Sequence, residues 1–598
     1  MKIAHIFNEV KTTDKNSFID TQPFEVEYWK KNSNSNYKIQ NDVNDDFSKK
    51  YYHSLVPTDK NKVISKYDDE KLKALTDKLG DNLLLISGDF WGIQKFIFDG
   101  ITTSKASKIL RSRSAMVQLI TYAVVDRIKK EFDGSDTLLF GAGKFMILAK
   151  NENANKIDDI QKELDSYFLE NFFGQNGFII SSTTTTKDKL LNQKNMEKDL
   201  DALGADNDDK KLNKFDLLNC NDEDILQDPF SQAQKDDAIC EFCSKRIKSD
   251  KVDDTKACKI CFNDIKLGKQ LTKKAYVTIF SSDKEESKDN ISIIKLDKIY
   301  YYAKFEDEVT QKGDTFDISS ELYFDYPKWS LNSYVPKDKN NEIKDFSTLA
   351  KNSSGLMALK ADIDKLGDTF RELYKDDFRK FNRLSREVEF FFSDYITSLV
   401  AKKENIYTVF AGGDDLFLIG EYKEIVALSK EIRDEFYKFA LEKTTISMGL
   451  VMFKPTTPIT FISKMADDAE KRAKAITVNG KDRDGIDIFG ISMKYNEFIE
   501  IENDFKRVTD FLEKENDDKT AFYYRIIELC DMKENINIDI RNAMWKSKLN
   551  YLFRRNVKRE DNNSEIFTIL SNLIEKGEKF KPSIFLKIYK NRDNKKEK

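Results

Sequence analysis

The sequence predicts an α+β protein of several domains, two of which share the order β-α-β-β-α-β. Three observations predict this class. The chain has 598 residues, which is too long for a single hydrophobic core. Two stretches, beginning near residues 83 and 356, each combine strand-like apolar runs with helical periodicity and place glycines at a central hairpin tip. Two Cys-x-x-Cys pairs between them predict a compact metal module.

The predicted organisation has five parts. Residues 1–80 are a polar N-terminal segment, and residues 81–190 form the first β-α-β-β-α-β unit. Residues 191–345 hold a linker, the four-cysteine module and a small β-containing connecting domain. We expect the linker to begin near residue 183, because residues 183–237 are rich in Thr, Asp, Asn, Lys and Gln. Residues 346–495 form the second unit, and residues 496–598 form a helical C-terminal domain.

Charge and hydropathy limit the possible partners. Lysine and arginine number 100 against 104 acidic residues, so any nucleic-acid contact must come from a local patch. The helical C-terminal domain offers such a patch, which is either a docking surface for RNA or another subunit, or a solvated basic face. Its basic residues are Arg525, Arg541, Lys546, Lys548, Arg554, Arg555 and Lys558. With no apolar run of membrane-spanning length and no signal-peptide pattern, we expect a cytoplasmic protein without a membrane partner.

The second unit carries the candidate catalytic residues. Its first strand ends in Asp362-Ile363-Asp364, and its hairpin tip is Gly412-Gly413-Asp414-Asp415. In the ferredoxin-like order β-α-β-β-α-β the end of the first strand lies beside the hairpin, so Asp362, Asp414 and Asp415 can converge. Adjacent carboxylates repel each other unless a cation lies between them, and magnesium also binds phosphates. The pattern therefore predicts the palm of nucleotide polymerases and cyclases, whereas Gly-Gly-Asp-Asp alone also fits a solvated turn.

The first unit is a degenerate copy of the second. Its first strand ends in Gly88-Asp89, and its hairpin tip is Gly141-Ala142-Gly143-Lys144. The spacing from Asp89 to Gly143 agrees within two residues with the spacing from Asp362 to Asp414, which indicates an internal repeat. Because the copy keeps glycines and lacks the acid pair, we expect it to hold a nucleotide rather than to catalyse. A purely structural duplicate is the alternative.

The cysteine pattern predicts a zinc site. Cys240-x-x-Cys243 is followed after fourteen residues by Cys258-x-x-Cys261, the spacing of a zinc-ribbon-like module. Four thiolates fill a tetrahedral shell, so this zinc is expected to be structural.

Several motifs together resemble one known family. They are Gly88-Asp89-Phe90-x-Gly92-Ile93-Gln94-x-Phe96-Ile97-Phe98, Lys108-x-Leu110-Arg111-x-Arg113-Ser114, the Cys-x-x-Cys pairs, Asp362-x-Asp364-x-Leu366-Gly367 and Gly412-Gly413-Asp414-Asp415-Leu416-Phe417. In this order they resemble the large polymerase/cyclase-like subunit of type III CRISPR–Cas effector complexes. The C-terminal stretches Phe522–Leu529 and Leu549–Asn556 are most similar to the Csm (type III-A) branch. The similarity covers roughly residues 83 to 590.

The resemblance implies a function. Two palms would face each other around two ATP molecules, and the second palm would join ATP into cyclic oligoadenylates when a guide RNA pairs with target RNA beside the sister subunits. Asp362, Asp414 and Asp415 would hold Mg²⁺ or Mn²⁺. The residues expected at the nucleotide are Gly412, Gly413, Ile363, Asp364, Ser447 and Lys474, with Gly88, Asp89 and Lys144 placed on the first palm by the repeat.

One family feature is missing from the sequence. Many members begin with an HD nuclease domain, but this sequence has no His-Asp doublet and only two histidines, His5 and His53. We therefore expect no HD-type cleavage of single-stranded DNA by this chain. Some variants without that domain transfer AMP to a different acceptor, so this product stays open. The sequence is also compatible with a diguanylate-cyclase-type enzyme and with a catalytically silent scaffold.

Overall fold

A computed structural model describes residues 66–596 of the chain, apart from short internal gaps. The gaps are residues 102–104, 193–195, 219–238, 253, 319–325, 327–328, 330, 332–334, 341, 352, 441–442, 479–480, 515–518 and 557–562. His5, His53, Cys220 and Lys558 therefore lie outside the described residues.

A helix precedes the first predicted unit. This helix, α1 (Lys66–Leu79), buries Leu72, Leu75 and Leu79 against the first sheet. Their spacing of three and four residues places them on one helical face. The last part of the segment predicted as a polar appendage is thus a packed helix.

The first unit has the predicted order of elements. They are β1 (Asn82–Trp91), α2 (Ile93–Phe98), α3 (Ala106–Glu131), β2 (Asp136–Gly141), β3 (Lys144–Lys150), α4 (Lys156–Phe172) and β4 (Gly177–Thr186). The strands form an antiparallel sheet in the order β2-β3-β1-β4.

The prediction of a linker from residue 183 is wrong for the first part of that segment. Strand β4 continues to Thr186, and helices α5 (Lys187–Asn192) and α6 (Met196–Leu212) follow. Leu190, Met196 and Leu203 are buried in the same core as α1. Because polar residues separate these few apolar ones, the sequence shows little helical periodicity there.

The cysteine module and the connecting domain follow as two small sheets and a helix. The module contains β5 (Asp250–Val252), β6 (Thr255–Ala257) and α7 (Lys259–Gln270). The connecting domain contains β7 (Tyr276–Ser282), β8 (Ile291–Leu296), β9 (Ile299–Glu306) and β10 (Asp314–Asp317), in the sheet order β10-β7-β9-β8.

The second unit repeats the first and extends it. Its elements are α8 (Phe346–Leu349), β11 (Leu356–Ile363), α9 (Leu366–Asp376), α10 (Phe378–Phe390), a π-helical segment (Phe391–Ile396), α11 (Thr397–Val400), β12 (Ile406–Gly412), β13 (Asp415–Glu421), α12 (Tyr422–Phe439), β14 (Ile446–Phe453), α13 (Ile459–Lys474), β15 (Thr477–Val478), β16 (Lys481–Asp482), β17 (Gly485–Ile488) and β18 (Ile491–Lys494). The main sheet has the order β12-β13-β11-β14-β17-β18. Its first four strands repeat the order β2-β3-β1-β4, as the internal repeat predicts.

The C-terminal domain is helical, as predicted. It contains α14 (Tyr495–Lys514), α15 (Thr520–Glu534), α16 (Trp545–Asn556), α17 (Asn563–Glu575) and α18 (Lys581–Lys596). No helix in the described part of the chain combines the length and the apolar character that crossing a bilayer requires.

Two large cores join these parts, one on each face of the second sheet. The first core runs from the first unit through the cysteine module to Tyr407 and Phe417 of the second unit. The second core joins the opposite face of the second sheet, including Leu359 and Ile363, to the C-terminal helices. The first unit therefore packs on the face of β11 that carries Asp362, because side chains alternate along a strand.

Candidate active site

Two of the predicted acids are direct neighbours across two strands. Asp362 lies at the end of β11 and pairs in register with Asp415 at the start of β13. Asp414 precedes Asp415 at the hairpin tip, and all three side chains are partly exposed. The sheet therefore presents three carboxylates along one edge, where a ligand can reach them.

The surrounding charges explain how the fold tolerates these acids. Burial, together with the charges of Asp414 and Asp415, raises the pKa of Asp362 to about 7, while Lys474 opposes the rise. Lys474, at the end of α13, forms an ion pair with Asp362 and lies 2.9 Å from Glu470. Burial and the charge of Asp414 also raise the pKa of Asp415, against the effect of Lys360. Asp362 and Asp415 thus each have one lysine nearby, and the three acids together keep excess negative charge at the site.

The carboxylates do not form a closed cluster. Among the described residues, only the four cysteines each bring one ligand atom to within 4.8 Å of all the others. Asp362, Asp414 and Asp415 do not reach that spacing in this structure. Their oxygen atoms are nevertheless the ligand type that magnesium prefers, and the net negative charge favours a divalent cation. The donor set of these three residues therefore fits magnesium.

Asp364 has a structural role, and so does Ser447. The buried carboxylate of Asp364 accepts hydrogen bonds from Thr445 Oγ1 at 2.6 Å, from Ser447 Oγ at 2.8 Å and from the backbone N–H of Asp484 at 3.0 Å. The hydroxyl of Ser447 also accepts a hydrogen bond from the backbone N–H of Gly485 at 3.2 Å. The prediction that these side chains reach a nucleotide stays a prediction, and in this structure both are hydrogen-bonded at the joint between β11, β14 and β17.

Of the other predicted residues of the second unit, Ile363 lies in the core, and Gly412 and Gly413 lie at the tip of the hairpin. The side chain of Ile363 is buried in the core against the C-terminal helices, so only its backbone could contact a nucleotide. Gly413 has a left-handed φ of 63°, and a Cβ there would meet no atom of the described residues within 4 Å. A Cβ on Gly412 would lie 4.0 Å from Ala142 of the first unit. The glycine tip is thus open on one side and faces the first hairpin on the other.

The first unit carries an acid–lysine pair like that of the second. Asp89 pairs in register with Lys144, as Asp362 pairs with Asp415. Lys211, near the end of α6, forms an ion pair with Asp89, just as Lys474 at the end of α13 does with Asp362. Sequence reasoning missed Lys211 because it lies in the segment predicted as a linker. The repeat therefore extends to this helix.

The glycines of the first unit have packing roles. A Cβ on Gly88 would lie 2.1 Å from the ring of Phe145, so only glycine fits at this position. A Cβ on Gly143 would lie 2.6 Å from Ile93, and its backbone carbonyl accepts a hydrogen bond from the N–H of Phe90 at 2.7 Å. Packing accounts for Gly88, whereas Lys144 is exposed at the hairpin.

One residue of the first unit contacts a candidate catalytic acid directly. Gln94 Nε2 donates a hydrogen bond to Asp415 Oδ2 at 3.1 Å. Gln94 belongs to α2, whose Phe98 ring lies 4.8 Å from the ring of Phe417 in the second unit. The sequence motif contains Gln94, but nothing in the sequence pairs it with a residue 321 positions away.

The cysteine module has the geometry of a tetrahedral site. Cys240, Cys243, Cys258 and Cys261 are all buried, and their sulfurs lie within 4.8 Å of one another. Cys243 Sγ lies 3.9 Å from Cys258 Sγ, close to the separation of about 3.8 Å between thiolates bound to one zinc ion and far from a disulfide bond length. The four residues therefore fit zinc.

Two buried arginines tie this module to both units. Arg113 of α3 lies 3.1 Å from the buried Asp264 of α7 and also donates to the backbone carbonyl of Asp99 at 2.7 Å. Arg111 donates to the backbone carbonyl of Gly268 at 2.8 Å and to Tyr407 Oη of β12 at 2.8 Å. These contacts explain the Arg-x-Arg motif, because one turn of α3 in the first unit contacts both the cysteine module and the second unit.

Comparisons with known proteins identify both units. Residues 82–231 match the family model of Csm1 subunit domain B, and residues 356–485 match that of the second palm domain of Cas10/Cmr2. The chain is similar to proteins named CRISPR system single-strand-specific deoxyribonuclease Cas10/Csm1 (subtype III-A). The relative from Enterococcus italicus is 26% identical over 525 residues, covering 83% of this chain and 65% of the relative. The relative from Streptococcus thermophilus is 24% identical over 509 residues, covering 78% and 62%. The chain thus spans somewhat less than two thirds of the length of these relatives.

Solved structures show the same fold. The structure of a Csm1-Csm4 cassette in complex with one ATP has a TM-score of 0.66 and 19% identity, covering 90% of this chain and 76% of that chain. The Csm1-Csm4 cassette in complex with cA4 has a TM-score of 0.64 and 18% identity, covering 96% and 85%.

The two related sheets, with acids on the hairpin of the second, define a protein with paired palm domains. Within this fold class the chain is similar to the Cas10/Csm1 proteins of CRISPR subtype III-A. The resemblance to the Csm branch is confirmed by these matches. The expectation of no HD-type nuclease stays a prediction, because His5 and His53 lie outside the described residues and the relatives are named deoxyribonucleases.

Proposed function

We propose that this chain is the large subunit of a type III-A CRISPR–Cas interference complex and that its paired palms convert ATP into cyclic oligoadenylates when target RNA binds. The observation that carries the proposal is the cross-strand pairing of Asp362 with Asp415, with Asp414 beside them at an open glycine tip. The names of solved relatives bound to ATP and to cA4 support the substrate and product.

In this proposal each site residue of the second palm has one role. Asp362, Asp414 and Asp415 would hold two magnesium or manganese ions, and these ions would supply the positive charge that activates a 3′-hydroxyl and neutralises the leaving pyrophosphate. Gly412 and Gly413 keep the hairpin tip clear, so that a triphosphate can approach the backbone. Lys474 is placed to exchange its ion pair with Asp362 for a phosphate contact, because metal ions at the acids would replace the positive charge that Lys474 provides to Asp362.

The first palm holds the second nucleotide in this proposal. Its Asp89–Lys211 pair repeats the Asp362–Lys474 pair, and Lys144 stands where the second palm has Asp415. A lysine at that position adds positive charge where the catalytic palm binds a cation, which favours a phosphate instead of a metal. Two palms with opposite local charge can thus hold a donor and an acceptor nucleotide.

The proposed partners are sister subunits, guide RNA and target RNA. The C-terminal helices expose apolar and basic side chains together, which suits docking. Ile538 is 83% exposed, Ile540 77% and Tyr551 68%. Four exposed basic residues lie within a few positions of these apolar ones in the sequence: Arg541, Lys546, Arg554 and Arg555. The zinc ion in this proposal is structural, because four thiolates leave no open coordination position.

The test of the proposed function uses the assembled complex. We expect ATP and target RNA to give cyclic oligoadenylates that mass spectrometry identifies, and Asp414→Ala/Asp415→Ala to reduce product to background while assembly and RNA binding persist. Loss of the metal-binding acids removes several kcal/mol of transition-state stabilisation, roughly 10³-fold in rate or more. Product at a rate near wild type in the double variant would contradict the assignment, and AMP joined to another acceptor would establish the alternative reaction.

A further inference from the structure

The short helix α2 lies between the two palms and contacts both of them. On the first palm, Arg113 donates hydrogen bonds to the backbone carbonyls of Phe96 at 3.3 Å and of Asp99 at 2.7 Å. On the second palm, Thr460 Oγ1 donates to the carbonyl of Phe98 at 3.0 Å, and the Phe98 ring packs on Phe417. The helix is therefore fixed on both sides, and its position follows the position of one palm relative to the other.

Gln94 is the residue through which this helix reaches the acids. The orientation of its amide is set by its partner, because a carboxylate only accepts and the Nε2 group must therefore face Asp415. This contact uses Asp415 Oδ2 and leaves Oδ1 for a further ligand. The Asp362 carboxylate is held in the same way, with Lys474 on its Oδ2.

Fold stability does not account for Gln94. Its Oε1 atom is buried, and no donor among the described residues reaches it. A buried carbonyl without a partner lowers stability, so an apolar side chain of similar length would suit this position better. The residue is therefore better explained by the hydrogen bond that its other amide atom makes.

We propose that Gln94 is a positioning residue that orients Asp415 for metal binding across the interface between the palms. Residues that donate a hydrogen bond to a metal-ligating carboxylate fix its orientation, and the loss of such a residue weakens metal affinity by about 10- to 100-fold. Because Gln94 belongs to the first palm and Asp415 to the second, the metal site is complete only while α2 keeps its place between them. A shift of one palm against the other would move the Nε2 donor away from Asp415 and weaken metal binding. This inference rests on the proposed metal-binding role of the acids.

The test compares Gln94→Met with Lys95→Ala. Methionine keeps the length of the side chain and removes the donor, whereas Lys95 is the exposed neighbour on the same helix and serves as the control. We expect Gln94→Met to weaken Mn²⁺ binding by about 10-fold or more, measured by electron paramagnetic resonance of free Mn²⁺, with Asp414→Ala/Asp415→Ala as baseline. Its melting temperature should equal that of the wild type or exceed it, and Lys95→Ala should change neither quantity.

Activity provides a second measurement. Gln94→Met should shift the magnesium dependence of product formation to higher concentration and recover the wild-type rate at saturating magnesium. Unchanged Mn²⁺ affinity would overturn the inference, and so would a lowered melting temperature with a rate that no magnesium concentration restores. A wild-type complex that binds Mn²⁺ but forms no nucleotide product would overturn the proposed function and leave the role of Gln94 standing.

Discussion

The two acids of Asp362-Ile363-Asp364 should respond to substitution in opposite ways. Asp364→Ala removes the acceptor of three donors, namely Thr445 Oγ1, Ser447 Oγ and the backbone N–H of Asp484. At about 1.5 kcal/mol for each of three hydrogen bonds to a charged group, we expect Asp364→Ala to lower the free energy of unfolding by about 4 to 5 kcal/mol. Asp362, in contrast, is a desolvated acid with one partner, so its loss should cost little stability.

An asparagine at position 364 refines this estimate. The amide oxygen can still accept hydrogen bonds, whereas the amide NH₂ group cannot. The hydroxyl groups of Thr445 and Ser447 can rotate to suit the amide, but the backbone N–H of Asp484 has a fixed direction. We therefore expect Asp364→Asn to cost about 1 to 2 kcal/mol, between the wild type and Asp364→Ala. Asp368→Ala, at an exposed acid of α9, is the matched control and should cost about 0.5 kcal/mol or less.

The assay is urea unfolding of the purified chain, followed by Mn²⁺ binding at a temperature where every variant is folded. Asp364→Ala should have a lower unfolding midpoint and near wild-type metal affinity, whereas Asp362→Ala should lose metal affinity without lowering the midpoint. If Asp364→Ala unfolds at the wild-type midpoint and loses metal binding as Asp362→Ala does, Asp364 is a metal ligand and the structural reasoning is wrong.

Three further predictions concern protonation, zinc and the buried ion pair. The pKa of Asp362 is about 7 in the folded chain, above the usual value of 3.8. In magnesium-free buffer, this group should therefore lower the free energy of unfolding as pH rises from about 4 to about 7, by up to about 4 kcal/mol in total. Asp362→Asn should remove that part of the pH dependence, and a parallel pH profile in the variant would contradict the pKa. Elemental analysis should find one zinc ion per chain, and Cys258→Ser should lower the melting temperature, whereas Cys530→Ser, at a cysteine outside the cluster, should keep the metal. Asp264→Ala should cost about 3 to 5 kcal/mol because it leaves Arg113 buried without its partner, and Lys269→Ala on the exposed face of α7 should cost almost nothing. Equal unfolding midpoints for these two variants would refute the role of the ion pair.

Much of the architecture could be predicted because it depends on local patterns. Apolar alternation and glycine tips determine the strands and hairpins, and the similar spacing from Asp89 to Gly143 and from Asp362 to Asp414 indicates the repeat. The spacing of the four cysteines predicted a metal cluster, which the buried sulfur group supports. These features are visible in sequence since each is set by residues a few positions apart, or by a separation that two copies share.

Some local predictions were wrong where the pattern was weak. Helix α6 was expected to be linker because acidic and basic residues outnumber its few apolar ones, yet Met196 and Leu203 pack into the core beside α1. The same helix delivers Lys211 to Asp89, so the missed helix also hid a residue of the first palm. A tertiary contact that buries few residues leaves little periodicity to detect.

The sequence by itself determined the two related units, the acid-bearing hairpin and the four-thiolate module, because residue type and short spacing are enough to define them. Only the tertiary structure decided which acid is partly exposed at the hairpin and which one is buried in the fold. Asp362 and Asp364 lie two residues apart, but one pairs with Asp415 and Lys474, and the other is enclosed by Thr445, Ser447 and Asp484. The structure also decided that Gln94 of one palm reaches Asp415 of the other. Such contacts depend on how separate sheets pack, and packing brings together residues whose distance along the chain carries no signal.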